Sequence, residues 1–173
     1  VTFSFRLCKK SKIGLMKSEI YTYFSTFVSG MGEVVIDVLE KELSNFKLNL
    51  LLDGLIVYKT NSELSRIKQL RFINNSFLLL KMIKVKDADQ ALNEIVSWAL
   101  TRPISTHLIS NFLPTGRHSF RVMFWKENQS ISADSRILVE LEKKFRNDQL
   151  FVNRTNPTIE FSFLTRNEGY GLF

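Results

Sequence analysis

The chain has 173 residues, 45% of them hydrophobic and 24% charged, enough for one ordinary domain or two small ones and too apolar for a largely disordered chain. One cysteine, Cys8, leaves no intramolecular disulfide, and with only two histidines, His107 and His118, the composition nearly excludes a zinc site. The net charge of +7 suggests a polyanionic partner, yet residues 1–85 hold +6 of it and residues 86–173 only +1.

Much of the first excess is Arg6, Lys9, Lys10, Lys12 and Lys17, all ahead of the first acid, Glu19. Residues 1–16 lack an uninterrupted apolar run and a small-residue cleavage pattern, so they are expected to be a leader or disordered tail and not a secretory signal. No stretch approaches the roughly 20 apolar residues that span a bilayer. The expectation is a cytoplasmic protein with no membrane role.

Tyr21 to Val28 is rich in aromatic and β-branched residues and predicts a strand ending at Gly30-Met31-Gly32. Val35, Val38, Leu39 and Leu43 recur at helical spacing. Phe46–Leu52 and Leu55–Thr60 flank Asp53-Gly54, a dipeptide suited to a two-residue type I′ hairpin turn. Asn61 or Ser62 is placed to cap a helix through Leu64, Ile67 and Leu70, and Phe77–Ile83 predicts one further strand. The order βαββαβ over 17–85 is the ferredoxin-like pattern.

A second domain is expected over 86–173. Asp87 can cap a helix through Leu92, Ile95, Trp98 and Ala99, followed by a loop-rich segment between Arg102-Pro103 and Pro114-Thr115-Gly116. Ser119–Trp125 predicts a strand, and Ile137, Leu138, Leu141 and Phe145 the buried stripe of a helix, with Glu140 and Lys144 four apart on its outer side. Leu150–Val152 and Ile159–Leu164 predict two more strands around Asn153–Pro157. The fold class is α+β.

His118-Ser-Phe-Arg-Val122, Val152-Asn-Arg-Thr-Asn-Pro-Thr-Ile-Glu-Phe161 and Arg166-Asn-Glu-Gly-Tyr170 together resemble the THUMP domain of tRNA-modifying enzymes. Val28-Ser-Gly-Met-Gly-Glu33 is similar to the start of the ferredoxin-like domain that precedes it, above all in THUMP-containing tRNA guanosine-N2 methyltransferases. Thr158 departs from the acid usual after the proline. The resemblance implies a ferredoxin-like N-terminal domain followed by an α/β THUMP domain that binds structured RNA, in particular the acceptor region of tRNA. It also implies a methyltransferase domain downstream, which would bring S-adenosylmethionine.

No catalytic, cofactor or metal site is expected in the chain itself. Asn156-Pro157-Thr158 lacks the second proline and aromatic of the methyltransferase motif, and Gly169-Tyr-Gly171 has no helix after it to present amides to a ligand. Phosphate contacts hold RNA without reading its sequence, so the expected RNA-binding residues are Arg117, Arg121, Lys126, Lys143, Lys144, Arg146, Arg154 and Arg166. Two other readings are open: a stand-alone THUMP adaptor that delivers tRNA to a separate enzyme, and a ferredoxin-like protein-interaction domain without an RNA role.

Overall fold

The structure, a computed structural model, describes residues 19–103, 112–113, 116–147 and 149–173. The expected leader, Cys8, His107 and Pro114-Thr115 lie outside the described residues. These form two compact units, 19–80 and 81–173.

In the first unit the order is β1 (Tyr21–Phe27), α1 (Gly32–Glu42), β2 (Lys47–Leu52), β3 (Leu55–Thr60), α2 (Leu64–Ile67) and β4 (Ile73–Leu78). The sheet order is β2-β3-β1-β4 with every neighbouring pair antiparallel. Alternation along β1 and β3 turns Tyr23, Phe27, Ile56 and Tyr58 into one core with Val35 and Leu39 of α1 and Ile67 of α2. The same side carries a hydroxyl chain: the Ser25 hydroxyl lies 3.1 Å from that of Tyr58 and 2.8 Å from that of Ser76.

Three local expectations change. The Asp53-Gly54 loop has a positive φ only at Gly54, so it is not the type I′ turn, which needs both residues there. Asp53 instead accepts the Gly30 N–H at 2.8 Å, tying the hairpin to the β1–α1 loop. Ser62 caps no helix: its hydroxyl accepts the Ser44 N–H at 2.7 Å, and α2 shrinks to one turn that starts after Glu63. The single strand over Phe77–Ile83 is two. Leu79 N–H closes the first sheet on the Thr22 carbonyl, while Lys81 N–H bonds the Phe173 carbonyl. The division therefore falls between Leu80 and Lys81, ahead of residue 85.

The second unit runs β5 (Met82–Lys84), α3 (Ala88–Thr101), β6 (His118–Lys126), β7 (Gln129–Ile131), α4 (Ser135–Phe145), β8 (Leu150–Val152), β9 (Ile159–Thr165) and β10 (Tyr170–Leu172). Asp87 caps α3 as expected, its carboxylate accepting the Gln90 N–H at 2.9 Å. The sheet is mixed, β5-β10-β9-β6-β7, with β9 and β8 parallel to β6. Strand β8 pairs the start of β6 and β7 its end, through His118↔Leu150 and Lys126↔Gln129.

Aromatic residues fill this core. Phe163 stacks on Phe173 at 4.3 Å between centroids, and Phe145 of α4 meets Phe161 at 4.6 Å and Phe120 at 6.2 Å. Ala91 and Ala99 of α3 are fully buried, and their small side chains let that helix lie close on β9 and β10. Strand alternation then sends Phe120, Val122 and Phe124 toward α4, and Arg121, Met123 and Trp125 to the opposite face.

Candidate nucleic-acid interface

Helix α4 and strand β8 set the geometry. The helix ends at Phe145 because Arg146 turns to extended backbone, and Lys143 and Lys144 occupy the last turn, where cations complement the helix dipole. Asn147 makes the corner: its side-chain oxygen accepts the N–H groups of Gln149 and Leu150 at 2.8 and 2.9 Å. His118 N–H then donates to the Gln149 carbonyl at 2.7 Å, which brings Arg117 to the same corner.

Arg117, Lys143, Lys144 and Arg146 are all exposed and make no ion pair with a carboxylate among the described residues. The Glu140–Lys144 spacing likewise forms no ion pair. The Arg117 guanidinium lies 5.3 Å from the ring centroid of Phe151, which is 39% exposed at the middle of β8. Phe151 had no place among the sequence candidates. A three-residue strand carries too little periodicity to say which of its side chains faces out.

The other four candidates are engaged within the fold. Arg121 sits in register with Glu160 on β9 and holds it through Nε at 2.8 Å and Nη2 at 2.7 Å. Arg154 grips the buried Glu142 carboxylate with both oxygens at 2.8 Å, and that hydrogen-bonded anion holds the guanidinium above its ordinary value. Lys126 lies 3.5 Å from Asp89. Arg166 is 5% exposed and lies 2.9 Å from Glu127 and 3.4 Å from Glu168. Burial pushes the Glu168 carboxyl up, but its backbone hydrogen bond and Arg166 together leave it below its ordinary value.

Position separates them as well. Arg117 and Lys126 stand at opposite ends of β6, roughly 30 Å apart for an extended strand. The structure brings Arg117, Lys143, Lys144, Arg146 and Arg154 to one end, and leaves Lys126 and Arg166 at the other.

The motif residues mostly build the frame. Asn153 accepts the N–H groups of Thr155 and Asn156 at 3.1 Å, shaping the β8–β9 loop, and Thr158 N–H donates to the Ser119 hydroxyl at 3.0 Å. Gly169 has φ +83 and lies so close to the Val85 carbonyl that a Cβ would sit 2.1 Å from its oxygen. Gly171 packs on Ile83 and the Ala91 carbonyl. Neither glycine opens a helix. Among the described residues no cluster of His, Cys, Asp and Glu could hold a metal ion, and no helix is long and apolar enough to cross a membrane.

No family model matches the sequence, and no curated protein matches it. Solved structures do match in fold. TrmN from Thermus thermophilus superposes with a TM-score of 0.59 at 13% identity, over 89% of this chain and 44% of that one. PH1313 from Pyrococcus horikoshii gives 0.51 at 17% identity, over 88% and 53%. A predicted N6-adenine-specific DNA methylase from Listeria monocytogenes gives 0.53 at 12% identity, over 89% and 39%. At these identities what is shared is the fold, and the chain spans about half the length of these proteins or less.

Proposed function

We propose that the chain is the RNA-binding part of a methyltransferase, a THUMP domain preceded by a ferredoxin-like domain. The βαββαβ order and the β2-β3-β1-β4 sheet support the ferredoxin-like reading of residues 19–80. The sequence motifs support THUMP for residues 81–173. The fold shared with a protein named a methylase supports a link to methyl transfer. The ligand is structured RNA, tRNA foremost and near its acceptor region. A domain beyond this chain would supply S-adenosylmethionine, and the chain's own residues bind and orient.

One observation carries the RNA reading. Arg117, Lys143, Lys144 and Arg146 present charge at a single corner with no carboxylate partner among the described residues. A cation without an internal partner can neutralise a phosphate without first breaking a bond within the fold. The Listeria protein is named for DNA, so duplex DNA is the necessary competitor.

The test is a titration of folded tRNA by fluorescence anisotropy over a salt series, with duplex DNA as competitor. Replacing any one of the four residues by alanine should weaken binding and flatten the log–log salt slope by roughly 0.7–0.9. R121A should leave the slope unchanged, since its charge is spent on Glu160. The reading fails if tRNA shows no salt-dependent affinity well into the micromolar range. It also fails if neutralising Lys9, Lys10 and Lys12 abolishes binding while the four corner substitutions change nothing.

A further inference from the structure

We infer that Phe151 and Arg117 form a stacking platform for an unpaired nucleobase, a deepening that rests on the RNA reading above. Most of the large aromatic side chains of the second unit are taken up by its core, where Phe120, Phe124, Phe145, Phe161, Phe163 and Phe173 pack against one another. Phe151 is 39% exposed, in the middle of a strand whose described neighbour on the sheet is β6 alone. Next to it the Arg117 guanidinium, 5.3 Å from the ring centroid, makes no ion pair among the described residues. The guanidinium lies over the ring, so an unpaired base would stack on its outer face or take its place on the ring. A base inside a duplex has no free π-face to offer, so the pair would favour unpaired over paired nucleotides. Arg146, in the turn between α4 and β8, would take a flanking phosphate.

A bare surface cation–π pair would stabilise the fold slightly and would have no preference among RNAs. The experiment separates the two. An RNA stem with an unpaired extension containing 2-aminopurine, and its fully paired counterpart, are titrated with the full chain and with the variants F151L, F151Y and R117K. The wild type should favour the extended RNA and change its 2-aminopurine fluorescence on binding. F151L should lower affinity for the extended RNA by about fivefold or more, leave the paired stem within about twofold, and lose the fluorescence change. F151Y should retain all three properties, which shows that the strand is intact; R117K should weaken the extended RNA alone. If the wild type binds neither RNA, the RNA reading falls and this inference with it. If both bind but F151L leaves the ratio of affinities and the fluorescence change as they were, the platform is refuted and the RNA reading stands.

Discussion

Arg166 illustrates why a charge count misleads. At 5% exposure, with Glu127 and Glu168 against its guanidinium, it joins the β6–β7 turn to the β9–β10 turn; Glu127 also accepts the Asn167 N–H at 2.7 Å. R166A should cost about 2 kcal/mol in urea unfolding, less than the 3–5 typical of a fully buried pair because the carboxylates it leaves are partly solvated. It should leave the RNA salt slope unchanged. Glu168 provides a pH signature. Its folded-state value lies below the ordinary 4.5, so its stabilisation is present above that pH and lost as pH falls through the folded value. E168Q should therefore melt below the wild type at neutral pH, and the two melting temperatures should converge as the pH drops under about 4.5. A constant difference across that range would mean the carboxylate makes no such contribution.

At the scale of elements, the Arg154–Glu142 pair fastens the β8–β9 loop to α4. The cost of removing Arg154 lies in what remains, a buried carboxylate with its main cation gone. R154A should lower the thermal midpoint, and E142L combined with R154A should recover much of the loss; equal losses in both would show that the buried charge is not the cause. Gly169 makes a sharper case. Its positive φ and its closeness to the Val85 carbonyl each exclude a side chain, and Val85 N–H bonds the Gly169 carbonyl at 2.9 Å where β5 ends and β10 begins. G169A should cost at least about 2 kcal/mol in denaturant unfolding. A change of less than half that would mean the turn relaxes freely.

For the whole molecule, two sheets are built from one chain, and the proposed ligand site belongs to the second unit alone. Calorimetry with S-adenosylmethionine should record no binding heat, because Gly169 and Gly171 serve the β10 strand and its turn; a measurable affinity would place a methyl-transfer site within these residues. The sequence by itself determined what is local. Periodicity settled the type and order of most elements, Asp87 announced its helix cap, and the α4 stripe ending at Leu141 and Phe145 its buried side. These follow from neighbours a few residues apart. Tertiary structure alone decided where the run Phe77–Ile83 breaks, since both its halves are apolar and only their partners, Thr22 and Phe173, differ. It also decided which candidate cations are paired within the fold. Arg121 meets Glu160 across 39 positions, and Arg166, Arg154 and Lys126 meet Glu127, Glu142 and Asp89 only through folding. Whether a charge can reach a ligand depends on what stands beside it in space, and no spacing along the chain encodes that.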